Sequence, residues 1–301
     1  MTNGLHGGEL IVLAARPGVG KSTMAMNIVE NVAKQGKTVA VYSLEMSNQQ
    51  LVERLLSSMS TVPLKFIKNG QLPNAESDIT KLRVAQDIIC SSMQLYGNDY
   101  ANIRPSEISS QCRRLKAQHG LDLIVIDYIQ LMNSDAKDSN QGRQQEVAAI
   151  TRALKLIAKE LNVPVIALSQ LKREAEIRNI KGDKSAGNSE PVLSDLRESG
   201  AIEQDADIVL FIHKEQDATS GGYKHSLIVA KHRNGELGNI PISMIGSIVR
   251  FVDEYYQYNQ GMTSVKPSDD GTQDRVYSDG EGEGDNGGDF LGVENVDGQA
   301  E

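Results

Sequence analysis

The chain has 301 residues, 39% of them hydrophobic and 24% charged, with a formal net charge of −9. That length supports one substantial core with appendages, and no apolar run is long enough to cross a membrane. The start lacks the basic end and apolar stretch of a secretory signal, and two cysteines, Cys90 and Cys112, supply neither a disulfide framework nor a zinc cluster, so a reducing cytoplasm is expected.

The net charge does not exclude an anionic partner. Residues 260–301 hold eleven acidic and two basic residues and account for all of it, leaving the remainder neutral overall and free to carry a local basic surface.

In chain order, an apolar strand is predicted over 9–14. It runs into Ala15-Arg16-Pro17-Gly18-Val19-Gly20-Lys21-Ser22-Thr23, and a helix follows over 21–34. Strand, tight loop and helix in that order form the setting of a phosphate-binding loop. Gly18 and Gly20 let backbone N–H groups turn inward, and the helix aims its positive end at the same point. Lys21 can reach β- and γ-phosphates, and the Ser22 hydroxyl can ligate Mg²⁺. Ala15 stands where the usual pattern opens with Gly. The alternative is a Gly-rich turn with a surface lysine.

A second strand over 38–44 leads into Glu45 and Ser47, which opens a helix over 47–59. Glu45 sits at a strand end, as a base for an attacking water would; it could equally be a helix-entry acid. Helices follow over 74–90 and 105–119, the second with Pro105 in its first turn. The strand 123–127 ends in Asp127, a carboxylate that can hold Mg²⁺ in a P-loop enzyme, although any buried strand may close on Asp.

After a polar loop at 134–142, apolar residues at helical spacing predict a helix over 144–161. The strand 164–169 presents Gln170, either a γ-phosphate sensor or a plain strand-end amide, before a long polar loop over 172–190. The charged run 195–207 contains Arg197, Glu198 and Gly200; Arg197 could meet a phosphate, and a solvated helix start explains the charges equally well. Strands over 207–213, 226–231, 239–245 and 247–253 close the fold, the last ones antiparallel because their turns are short. Lys231 and Arg233 end one of them, two residues apart and so on one side of an extended chain. Aimed at a neighbouring subunit's nucleotide, such cations are worth roughly 10³–10⁵ in rate; a hairpin with solvated basic residues is the alternative.

Apolar strands alternating with helices predict an α/β fold with a mostly parallel sheet covered on both faces and antiparallel strands at its C-terminal edge. One domain is expected over 1–258, and a disordered acidic, Gly-rich tail over 259–301.

Together these segments closely resemble the motor domain of DnaB-type replicative DNA helicases, from about residue 3 to 252. The landmarks are 15–23, 43–47, Ile126-Asp127-Tyr128-Ile129-Gln130-Leu131-Met132, 144–170, 194–207 and 231–235. An Ala opening the phosphate loop is usual in that family. The resemblance implies a RecA-like P-loop ATPase core, a homo-hexameric ring around single-stranded DNA, and ATP bound between subunits. By position, Lys21, Ser22 and Asp127 would bind ATP–Mg²⁺, Glu45 would activate water, Gln170 would sense the γ-phosphate, and Lys231 and Arg233 would act in trans. Arg197, Glu198 and Gly200 match the loop that grips the single strand; this last assignment rests on the resemblance alone. The family's N-terminal domain and linker helix have no counterpart here, so the chain is expected to begin inside the motor, and contacts with a primase or loader depend on parts not seen. A RecA-like recombination or regulatory ATPase, and a non-catalytic DNA-binding module, are the competing classes.

Overall fold

In the computed structural model, residues 1–135, 142–171, 190–196, 200–216 and 222–254 are described. Most of the two polar loops, together with Arg197, Glu198 and the acidic tail, lies outside them. The described residues all fall within one unit spanning Met1–Val265.

Among the described residues, nine strands form one sheet. They are β1 (Leu10–Ala15), β2 (Thr38–Ser43), β3 (Gln94–Asn98), β4 (Leu123–Asp127), β5 (Val165–Gln170), β6 (Ile208–Gln216), β7 (Tyr223–His232), β8 (Gly238–Ile245) and β9 (Arg250–Asp253). Their spatial order is β3-β2-β4-β5-β1-β6-β7-β8-β9. Pairing is parallel from β3 to β6 and antiparallel from β6 to β9. Every residue of β1, β2 and β4 is buried, as expected for central parallel strands covered on both faces.

The helices are α1 (Lys21–Ala33), α2 (Asn48–Ser60), α3 (Leu64–Asn69), α4 (Ala75–Ser92), α5 (Pro105–His119), α6 (Arg143–Leu161) and α7 (Gly200–Asp205). Alternation along β1 splits the core in two. Leu10, Val12 and Ala14 face Ile108, Val147, Ile150 and Leu154 of α5 and α6. Ile11, Leu13 and Ala15 face Ala25, Met26 and Val29 of α1, with Leu51 and Leu55 of α2. A buried polar link joins the helices of that second layer: Glu30 accepts from Ser58 Oγ at 2.7 Å and from Lys34 Nζ at 2.5 Å.

Local chemistry sets the helix ends. Ser47 caps α2, accepting from the Gln50 N–H, while the Gln50 side chain accepts from the Ser47 N–H. Pro105 opens α5, where Glu107 accepts from the Arg104 N–H at 2.9 Å. Asn162 ends α6 in the left-handed region, with φ 48°.

Predicted and observed elements agree within about two residues for five helices and for most strands. Three differences have physical causes. Strand β3 carries few β-branched residues and lies exposed at the sheet edge, so it has no buried-strand signature. The segment predicted as a strand from 247 begins with a turn at Gly246–Ile248, because Val249 takes φ 48°, and β9 starts only at Arg250. The charges at 195 and 207 are not on a solvated face: Asp195 and Asp207 are 4% and 6% exposed. Asp195 accepts from the Val192 N–H, and Asp207 from the Leu10 N–H.

Candidate nucleotide site and motor family

Four strand ends build the site. In the register, Ala15 of β1 lies opposite Gln170 of β5, and Ser43 of β2 lies opposite Asp127 of β4. The loop after Ala15, the turn after Ser43, the Asp127 carboxylate and Gln170 therefore share one edge of the sheet, where ligands bind in open α/β folds.

The loop between β1 and α1 has the backbone of an anion cradle. Gly18 and Gly20 have φ of 75° and 105°, conformations that favour glycine. The Gly20 carbonyl accepts from the Met24 N–H at 2.9 Å, which places Gly20 at the start of α1. The positive end of α1 thus opens at Lys21, Ser22 and Thr23. Arg16, Pro17 and Gly18 lie on the accessible side, and Val19 is buried beneath them.

Lys21 Nζ lies 3.6 Å from Asp127 Oδ1 and 4.1 Å from the centroid of the Tyr128 ring. Burial pushes the Lys21 ammonium below the usual lysine range; Asp127 and Glu45 oppose that shift. Asp127 Oδ1 is buried and has no hydrogen-bond partner among the described residues. Such an atom is costly unless a cation or donor satisfies it. A metal-bound triphosphate fits this arrangement: glycine backbone for the phosphates, an ammonium beside them, a hydroxyl at Ser22 and a carboxylate oxygen that Lys21 faces but does not hydrogen-bond.

Two connections hold the neighbouring groups. The Ser43 hydroxyl donates to the Met46 carbonyl at 2.7 Å and accepts from the Met46 N–H, folding the turn that presents Glu45. The Leu44 N–H donates to the Asp127 carbonyl at 2.7 Å, which ties that turn to β4. Glu45 itself is exposed. On the other side, Gln130 donates to Ser169 Oγ at 2.8 Å and accepts from the Gln170 N–H at 3.3 Å. Tyr128, Gln130 and Phe251 carry no individual signal in the sequence. The first two stand in the Ile126–Met132 landmark, whereas Phe251 is brought to the loop only by the sheet.

Lys231 and Arg233 stand at the opposite edge. The Arg233 N–H donates to the Asp207 carbonyl, and the Asp207 N–H to the Leu10 carbonyl, at the far end of β1 from Ala15. Five strand steps separate Leu10 from Ala15, roughly 17 Å at the usual rise. That exceeds an arginine side chain's reach, so these cations cannot serve the nucleotide loop of their own chain. Lys231 Nζ instead donates to the carbonyls of Glu203 and Ala206, and Arg233 Nη2 to that of Gln204. Burial lowers the Lys231 pKa, and Arg233 adds to the effect.

Gly200 opens α7 exposed, and among the described residues nothing beyond its chain neighbours and its own helix comes within 4 Å of where a Cβ would stand. Among the described residues both cysteines are free thiols, and no helix is long and apolar enough to cross a membrane.

The profile of the DnaB-like helicase C-terminal domain family matches residues 1–253. The chain belongs to that family. Relatives of this DnaB-like domain include the replicative DNA helicase DnaB of Geobacillus stearothermophilus, 43% identical over 257 residues, which are 84% of this chain and 54% of that one. The replicative DNA helicase DnaC of Bacillus subtilis (strain 168) gives the same identity and coverage. A solved DnaB-like replicative helicase, studied in its interactions with primase, superposes with a TM-score of 0.73 at 33% identity, covering 83% of this chain and 58% of that one. A second solved structure, an isolated ATPase domain, gives 0.73 at 32% identity, over 81% and 84%. The chain spans about half the length of the curated relatives it matches. The RecA-like assignment of the fold agrees with these neighbours.

Proposed function

We propose that this domain is an ATP-driven motor that moves along single-stranded DNA and unwinds duplex DNA during replication. The observation that carries it is the placement of Lys21, Asp127 and Glu45 at one sheet edge, with Lys231 and Arg233 at the other. One chain then offers half of a catalytic site at each edge, which suits a ring, here a homo-hexamer. The setting is the cytoplasm, where the replicative relatives' work on DNA would place it.

ATP with Mg²⁺ supplies the phosphoanhydride bond that is broken. The backbone N–H groups of 16–23 and the Lys21 ammonium hold the phosphates, while Ser22 and Asp127 hold the ion. Glu45 orients a water for in-line attack on the γ-phosphorus and takes its proton. Gln170 donates to the γ-phosphate and, being the last residue of β5 ahead of the 172–190 loop, passes its loss to that loop. Lys231 and Arg233 stabilise charge at the nucleotide of the adjoining subunit. Arg197, Glu198 and Gly200 grip the DNA backbone, which gives sequence-independent, salt-sensitive binding. Primase and a loader are further partners.

Measuring ATP hydrolysis with and without single-stranded DNA, alongside particle mass, tests this. DNA-stimulated turnover by a six-chain particle is expected. Turnover without unwinding would favour a recombination or regulatory ATPase, and DNA binding without turnover an interaction module.

A further inference from the structure

We propose that Asp207 is a positioning residue for Arg233, holding its guanidinium in the orientation from which it serves the adjoining subunit's phosphate. The inference rests on the in-trans role of Arg233 given above.

The two oxygens of Asp207 do different work. Oδ2 faces inward, accepting from the Leu10 N–H at 2.8 Å and from Lys155 Nζ at 2.5 Å. Lys155 also donates to the Gly8 carbonyl at 2.8 Å. Oδ1 faces Arg233 Nη1 at 3.7 Å. The Asp207 and Lys155 side chains are 9% and 13% exposed, against 47% for Arg233. Lys155 and the Leu10 N–H therefore already neutralise the buried carboxylate, and Arg233 is not needed to stabilise it.

The guanidinium is held from a second side by α7. Arg233 Nη2 donates to the Gln204 carbonyl, and Lys231 Nζ closes the carbonyls of Glu203 and Ala206. Cations belong at such a C-terminal end, where several carbonyls lack helical partners. Glu203 and Asp205 add negative charge there, and both act on Lys231. A planar guanidinium that donates to a carbonyl at one end and is drawn by a carboxylate 3.7 Å away at the other has a preferred direction, which an ammonium could not keep. Its outer face stays open. Orientation of this kind matters most in phosphoryl transfer, where the protein contributes position and charge.

The test is steady-state ATP hydrolysis on single-stranded oligo-dT by Asp207→Asn and Arg233→Ala chains, each alone and mixed with Lys21→Ala chains. Lys21→Ala subunits lack their own phosphate cation but still offer an intact Arg233. For Asp207→Asn, kcat is expected to fall about tenfold with the ATP KM within about twofold. Mixing with Lys21→Ala should raise its rate above the sum of the separate rates, which a general loss of folding would not do. If Asp207→Asn melts below the assay temperature, the same comparison is made below its melting temperature, where the fall in kcat and the gain on mixing should both persist. If Arg233→Ala gains nothing from mixing, the in-trans role itself fails. If Arg233→Ala gains while Asp207→Asn matches the wild type, or is slow and gains nothing, Asp207 does not position Arg233.

Discussion

Phe251 closes over Gly20. A Cβ built on that glycine would lie 2.9 Å from Phe251 Cζ. The Phe251 N–H donates to Asn27 Oδ1 at 2.8 Å, and Asn27 Nδ2 donates to the Val249 carbonyl at 3.3 Å, so α1 and β9 are fastened beside the nucleotide loop. Gly20 thus answers two demands at once, a φ of 105° and room for an aromatic ring.

Gly20→Ala should therefore destabilise the domain by about 1–3 kcal/mol, from the left-handed backbone and the new contact. Thermal melting measures the total. Adding Phe251→Ala should not make good the whole loss, because the backbone contribution stays. Full recovery in the double variant would assign the entire cost to the ring.

Glu45→Ala should retain ATP binding and lose turnover by at least about 100-fold, the ordinary scale for removing a positioned base. Arg233→Ala should likewise bind nucleotide and lose DNA-stimulated hydrolysis. Mixing the two should recover part of the rate, since some interfaces then pair an intact Glu45 with an intact Arg233. No recovery over a range of ratios would argue against catalysis shared between subunits.

Acid stability gives a separate check on the antiparallel edge. Burial lowers the His225 pKa from 6.5 to about 4, with Lys214 and His213 adding to the shift. The unfolded chain then binds the proton more tightly than the folded one. Stability from this group is complete above about pH 6.5 and is lost as pH falls toward 4. His213 is lowered too, by burial first. Urea midpoints measured between pH 7 and 4 should fall, and His225→Gln should make the fall shallower. An unchanged slope would mean that His225 does not drive it.

The legible parts of this molecule are those whose chemistry is local. Gly18 and Gly20 announce a turn that excludes side chains, and Lys21 and Ser22 follow at fixed offsets. Asp127 and Gln170 could be placed because an apolar strand precedes each of them. Residues brought together only by the tertiary fold were not legible. Phe251 meets Gly20 across more than two hundred positions, and Asp207 meets Lys155 across 52. For the charged run 195–207 a solvated helix start is one of two readings, yet both end residues are buried acceptors: Asp195 takes the N–H of Val192 three residues earlier, and Asp207 that of Leu10, which nothing nearby in sequence reveals. Strand β3 escaped notice for the opposite reason: its exposed edge has no apolar pattern to read.

The central claim is that Lys21 and Asp127 hold a nucleotide's terminal phosphate and its ion. Phosphate release from ATP by Lys21→Ala, compared with the unaltered chain on single-stranded DNA, tests it most directly. Removal of the principal phosphate cation should cut release by at least about 100-fold at a temperature where the variant stays folded, and the melting temperature should fall, because the buried Asp127 carboxylate loses the ammonium 3.6 Å away. Release at the wild-type rate would contradict the account.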